Sequence, residues 1–455
     1  MEGSRAAPSD KASKILKTLK AIQADIEVKD RKGRTPLMWA AAKGSTKIMK
    51  LLLDANANIH ATNADGSTAL MYAAYYGHPA CMQLLIDAKA DTEAENNYQE
   101  FAIMMAARQG HADCVQLLIN ANGYIHYLDN GGINALMYAA YRGNPVCVKL
   151  LVDAKAEIKW KNDYKWSALL VAVRRGHTDC LQLLVEAKAN IEEHNQKGST
   201  ALMVAAWRND VNCIRRLVDL KAHVDAGSQY GGTPLNVAII EKRAEAMQLL
   251  IELNADLDGT PIHEMTALML AADGNYIDGV RRLIAVNADV NIQGRGNMTA
   301  LHYAAMNGPD CTQLLLEANA DHNAQNNRGW TPVIRAAHRG YAQCLRQLIA
   351  AKADIDARDN DESSALIHAA KDGHMDCVQF LLDANAYLYA VDINGRTPMM
   401  WAAQQGHTEC VRLLVNAYAN TNANPPRRRR LSDASSPQSG SASSPERNKR
   451  LRTDS

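Results

Sequence analysis

Nine cysteines recur in this chain at one register: Cys81, Cys114, Cys147, Cys180, Cys213, Cys311, Cys344, Cys377 and Cys410. Five of them close a His-x-x-Cys step, at His78/Cys81, His111/Cys114, His177/Cys180, His374/Cys377 and His407/Cys410. Imidazole and thiol at that spacing are metal ligands elsewhere, and many cysteines suggest a disulfide framework. Spacing argues against both. Successive copies stand one stacked unit apart, on the order of 10 Å between packed helices. A disulfide needs Cα atoms about 4.4–6.8 Å apart, and zinc needs four donors at about 2.0–2.3 Å from one point. The reading that fits is a small buried apolar side chain in a reducing compartment, with no metal and no cofactor.

Other chemistry leaves no trace in the motifs. The chain contains no Gly-x-x-x-x-Gly-Lys phosphate loop, no His-Glu-x-x-His and no Cys-x-x-Cys. No acid–base pair rises above the repeating background, so a non-enzymatic role is expected.

The elements that carry these residues are repeats. A Thr-like position recurs at Thr35, Thr68, Phe101, Asn134, Ser167, Thr200, Thr233, Thr266, Thr299, Thr331, Ser364 and Thr397. The interval is 33 residues except for 32 between Thr299 and Thr331, where Asn307-Gly308-Pro309-Asp310 lacks one residue. Thr or Ser is a helix N-cap, and the Pro or Ala that follows suits a first helical turn. An apolar residue and an Ala pair come next, as in Leu37 with Ala40-Ala41, and a Gly such as Gly44 or Gly77 ends the helix. A second helix then carries apolar residues at helical spacing, as in Cys81, Leu84 and Leu85. Its end leads to a turn with Gly at Gly33, Gly66, Gly132, Gly198, Gly231, Gly329 and Gly395. Aromatics are only 5% of the chain, with 2 Phe, so Ala and Leu must fill the core between small, closely spaced helices.

This unit resembles the ankyrin repeat, Asp-x-x-Gly-x-Thr-Pro-Leu-His-x-Ala-Ala-x-x-Gly-His. Asp30-Arg31-Lys32-Gly33-Arg34-Thr35-Pro36-Leu37-Met38-Trp39-Ala40-Ala41 and Asn394 to Ala403 are the best-matching stretches. The resemblance implies an all-α ankyrin-repeat solenoid of helix-turn-helix repeats with β-turn fingers, and a protein-binding scaffold or adaptor as its role. One departure is general: the family's His after Leu is Met at Met38, Met71, Met104, Met137, Met203, Met269 and Met400, and His302 alone keeps it. The polar link from that His to the turn is thereby expected to be lost.

The expected organisation is a disordered N-terminus over 1–9, a capping half-repeat over 10–29, twelve repeats over 30–423 and a disordered basic Ser-rich tail over 424–455. Repeats over 227–310 are irregular, with Gly259, Gly274, Gly279, Gly294 and Gly296 crowded there. Such a junction is a place for a hinge. No secretory signal follows Met1, and no run reaches the roughly 18 apolar residues of a membrane span. An intracellular protein, cytoplasmic or nuclear, with no membrane partner is expected.

The tail after Pro426 holds 8 Lys+Arg against 3 Asp+Glu, which leaves 42 basic and 46 acidic residues before it. Arg427, Arg428, Arg429 and Arg430, then Lys449, Arg450 and Arg452, resemble a bipartite nuclear-import signal. Ser432, Ser436 and Ser444 stand in kinase-like contexts, and phosphate at Ser432 would mask the Arg cluster. The alternative function is therefore a nuclear regulator whose tail directs import or weakly contacts nucleic acid while the repeats recruit a protein factor.

In ankyrin-like solenoids the first helices and fingers line a concave groove, faced by the two residues after the Ala pair. Over six repeats these are Ala42-Lys43, Tyr75-Tyr76, Arg108-Gln109, Tyr141-Arg142, Arg174-Arg175 and Trp207-Arg208, with no acid among them. Later copies include Glu241, Asp273 and Asp372 beside Arg339 and Lys371. The residue before the Ala pair adds Trp39, Tyr72, Tyr138, Tyr303 and Trp401. Trp, Tyr and Arg are the types that dominate binding hot spots. A basic aromatic groove on a mildly acidic body fits an acidic or phosphorylated partner segment. Finger-tip residues Tyr98, Tyr164, Trp166, Tyr230 and Trp330 extend that surface. A stacked, merely solvated face accounts for the same side chains without a partner.

Overall fold

The computed structural model describes residues 26–228, 232–259 and 264–423, the last three by backbone alone. The expected N-terminal segment 1–9, most of the half-repeat over 10–29, Tyr230, Gly231 and the basic tail with its three serines lie outside those residues. The described residues form twelve helix pairs and no strand, with isolated bridges only at Glu95/Phe101 and Arg358/Ser364. In each pair a short inner helix, such as Pro36–Lys43, is followed by an outer one, such as Pro79–Asp87 in the second pair. Inner helices pack on inner helices of the adjacent repeats, and outer on outer. No helix among the described residues is long and apolar enough to cross a membrane.

Local chemistry explains each element. Thr35 is extended, its side chain accepts the Met38 amide at 3.4 Å, and Pro36 fills the first turn. Asn134 makes the same cap to Met137 at 2.9 Å. Phe101 makes no side-chain cap; its ring instead stacks on Tyr127 with centroids 3.8 Å apart. Fingers are closed by Asx turns: Asp30 Oδ1 accepts from the backbone of Lys32 and Arg34, both at 2.9 Å. Inner helices end at glycines for two reasons. Gly77 has φ +73°, and a Cβ there would stand 2.4 Å from the His111 ring of the next repeat. Asn209, Lys242 and Asn275 take that left-handed place in repeats six to eight. The deletion in repeat nine is absorbed at Gly308, which is extended at φ 178° and joins helix Ala300–Asn307 to Pro309–Glu317 without a turn.

A further bond ties adjacent repeats. His78 Nε2 donates to Ala42 O, His111 to Tyr75 O, His177 to Tyr141 O, His374 to His338 O and His407 to Lys371 O. Arg142, Arg243 and Asn307 make the equivalent bond to Arg108, Trp207 and Asp273. Among the described residues no such bond reaches the matching carbonyls of Arg174, Ile240 or Met306. The histidines of the His-x-x-Cys pairs thus brace the preceding helix.

All nine cysteines are free and buried at the base of the outer helices. Repeat eight has Gly279 in that place, where the buried ring of Tyr276 fills the space; in repeat ten the matching Tyr341 is exposed and leaves room for Cys344. A Cβ on Gly279 would lie 2.3 Å from the Tyr276 ring. Gly279→Cys is therefore expected to lose about 1–3 kcal/mol by overpacking. The same change in a Tyr276→His background should lose less than half as much. Urea unfolding of the four proteins gives the coupling; equal losses in both backgrounds would reject the account.

With the family's His lost, Met105, Val204 and Leu270, which follow Met104, Met203 and Met269, carry no polar group to link the inner helix to its own finger. In repeats one, two, four, eleven and twelve the loss does not sever the inner helix from its finger. The next residue makes the link: Trp39 Nε1 donates to Asp30 Oδ2 at 3.3 Å, Tyr138 OH to Asp129 Oδ2 at 2.6 Å, and Trp401 Nε1 to Asp392 Oδ2 at 3.0 Å. Asn63 Nδ2 donates to Tyr72 OH at 3.0 Å, and His368 Nε2 to Asp359 Oδ2 at 2.7 Å. The retained His302 is fully buried, accepts the Thr299 amide at Nδ1 and donates from Nε2 to Trp330 O at 2.9 Å. Burial holds its imidazole down at about 4. As pH falls from the unfolded value near 6.5, the unfolded chain takes a proton that the fold refuses, so stability is lost down to about pH 4. Between about pH 7 and 4.5 the wild type should lose roughly 2–3 kcal/mol more than His302→Met. Parallel urea curves at both pH values check this, and equal losses would refute it.

Candidate functional site

The face of repeats one to six that the resemblance assigns to the groove is built from the last turns of the inner helices. Lys43, Tyr75, Tyr76, Tyr141, Arg142, Arg174, Arg175, Trp207 and Arg208 are exposed, and so is Trp39. The Ala pairs beneath them are closed, so the backbone that carries these side chains is fixed by packing. Arg108 is half-buried: it pairs with Glu100 and lies over the rings of Tyr138 at 5.3 Å and Tyr75 at 5.9 Å. Tyr72 and Tyr138 are half-buried, with their hydroxyls committed to the fingers. Burial comes first in raising the Tyr138 phenol, with its bond to Asp129 next. These three support the groove more than they present to it.

Tyr141, Arg142, Arg175, His177 and Arg208 line a shallow cleft of about 360 Å³. Arg175 lies 4.3 Å over the Tyr141 ring, and Arg174 4.9 Å over Trp166. Arg142 donates from Nε to Arg108 O at 2.9 Å and from Nη2 to Gln109 Oε1 at 3.2 Å. No carboxylate pairs with Arg142, Arg174, Arg175 or Arg208 among the described residues. Four guanidinium groups over three repeats thus keep donors for an anion, and two are pre-set by stacking on aromatic faces. A second cleft gathers Arg34, Met38, Trp39, Lys43, Tyr72 and Tyr76, with Arg34 4.0 Å over Trp39.

Arg34 and His177 escaped the sequence reading because both stand in turn positions that the repeat pattern itself explains. The finger tips divide: Tyr98 and Tyr164 are exposed, Trp166 is half-buried, and Trp330 is buried beneath His338 and His368. Trp330 therefore does not extend the surface; its indole fills the junction of repeats ten and eleven. Tyr303 is half-buried and Trp401 buried, with Lys371 and Arg396 over the Trp401 ring. On that later stretch His338 Nδ1 donates to Asp372 Oδ2 at 2.7 Å, so the Asp372 carboxylate is already hydrogen-bonded across the repeat junction.

A family model for three copies of the ankyrin repeat matches residues 4–96, 103–195, 136–228, 169–261, 216–294, 268–359 and 333–425. Among solved structures, the human ASB11 ankyrin repeat domain aligns at 25% identity with a TM-score of 0.46, over 49% of this chain and 99% of that one. No curated protein matches the sequence.

Proposed function

Because the chain belongs to the ankyrin-repeat family, whose repeats are protein-interaction modules, we propose that it is a non-catalytic scaffold that grips an acidic or phosphorylated partner segment. The grip lies along the inner-helix face of repeats one to six. One observation carries this reading. Arg142, Arg174, Arg175 and Arg208 are exposed, unpaired with any carboxylate among the described residues, and interleaved with exposed Tyr141 and Trp207. Guanidinium forks match carboxylate and phosphate geometry, and the aromatic faces add contact area at low entropic cost. The spread over repeats four to six fits an extended segment that places several acids in sequence.

An array of acidic, phosphorylated, neutral and basic peptides tests it with the full chain as probe. Acidic and phosphorylated peptides should be retained, with retention falling as salt shortens the Debye length from about 10 Å to about 3 Å. Equal retention of neutral peptides, or indifference to salt, would refute the proposal.

A further inference from the structure

Away from that groove, repeats ten and eleven bring two imidazoles and a carboxylate to one point. His338 stands on Pro332–Arg339, and His368 and Asp372 on Ala365–Asp372. One ligand atom from each lies within 4.8 Å of the others. His338 Nδ1 donates to Asp372 Oδ2, and His368 Nε2 to Asp359 Oδ2, both at 2.7 Å. Asp359 is itself held: Oδ1 accepts from the backbone of Asp361 at 3.0 Å and Ser363 at 2.8 Å, and the side chain is 1% exposed. Trp330 closes one side, with its ring 4.8 Å from His338 and 5.0 Å from His368. His374 Nε2 donates to the His338 carbonyl and fixes that stretch of helix. None of the three residues is part of a His-x-x-Cys pair.

We infer that His338, His368 and Asp372 form a site for one divalent metal ion of the zinc class, with Asp359 as the positioning carboxylate. Two imidazoles and one carboxylate are the donor set of a three-ligand zinc site that keeps its fourth place for water or a partner's ligand. Metal-binding histidines are set by a carboxylate on the other ring nitrogen, which fixes the tautomer and raises basicity. Asp359 does this to His368: a proton held on Nε2 leaves the Nδ1 lone pair for the ion. His338 and Asp372 are 33% and 27% exposed, so an ion can reach them and their side chains can adjust. Their 2.7 Å contact must open to the roughly 3.3 Å that separates tetrahedral donors about 2.0 Å from zinc. If Nδ1 of His338 becomes the donor, its proton moves to Nε2. The ion then replaces one hydrogen bond between repeats ten and eleven with three coordinate bonds, one from repeat ten and two from repeat eleven, and clamps that junction.

The test is titration of the full chain with Zn²⁺ by calorimetry and with Co²⁺ by visible absorption. One equivalent should bind, with the intense bands of four-coordinate Co²⁺ and a raised melting temperature. Asp372→Asn and His338→Gln should each abolish those bands. Asp359→Asn should keep the stoichiometry and weaken affinity about 10–100-fold, an effect that a purely structural hydrogen bond would not produce. Helical signal without metal, read for each variant, separates lost ligation from lost fold. Should Asp372→Asn unfold, His338→Gln alone decides, because its amide still reaches Asp372. Absence of saturable binding to the wild type would overturn the proposal. So would stoichiometry and bands unchanged in a folded His338→Gln variant, which would leave two ordinary His–carboxylate bonds.

Discussion

Native protein at about pH 7.5 should release almost no thionitrobenzoate from Ellman's reagent, and all nine thiols should react once guanidinium has unfolded it. The nine cysteines are at most 1% exposed, and burial pushes the thiols of Cys114, Cys180, Cys213 and Cys377 up to about 12. A free thiol titrates near 8.5, so the reactive thiolate is scarcer by roughly three orders of magnitude even before access is considered. Any slow native reaction must pass through opening of a repeat. Mass spectrometry of partly labelled protein would therefore rank the repeats by local stability. Rapid reaction of several thiols in the native state would show that the outer-helix packing is wrong.

Changing Arg142, Arg174, Arg175 and Arg208 together to Glu should weaken capture of an acidic peptide by about 100-fold or more, equivalent to roughly 3 kcal/mol. The replaced side chains are exposed and lie in no ion pair among the described residues, so the fold should survive. Its expected losses are the Arg142 bonds to Arg108 O and Gln109 and the stacking of Arg175 on Tyr141 and Arg174 on Trp166, each about 0.5–1 kcal/mol. A parallel set with Lys keeps charge and loses the planar fork. An intermediate affinity would assign part of the binding to guanidinium geometry. Undiminished binding by the Glu variant, with helical signal intact, would move the interaction off this face.

Much of the fold was legible because each repeat states its own rules. The Thr caps, the Ala pairs and the buried cysteines follow from the 33-residue period, and the all-helical pairs stand where the period puts them. Pairing across space was harder to read. Trp39, Tyr138 and Trp401 were legible as the residues before the Ala pair, but not the bond that each donates to an Asp nine residues earlier in its finger. A period shows which positions are equivalent, but not that an indole bends back to its own turn. The His338, His368 and Asp372 cluster was invisible for the same reason. Its members are separated by 30 and 4 residues, and only stacking of repeat ten on repeat eleven brings them together.

The braces from one repeat's turn to the preceding carbonyl have a mechanical consequence. They run unbroken from repeat one to repeat five, then join six to seven, eight to nine, and ten to twelve. Pulled from its two ends, the chain should yield first at the unbraced junctions beside Arg174, Ile240 and Met306. It would behave as four stiff links on three compliant joints. The longest link carries most of the basic face, and the first joint, at the end of that link between Arg175 and Trp207, divides Arg208 from the rest of the face. A ligand spanning that joint would act as a splint, and tension along the chain would work against its retention.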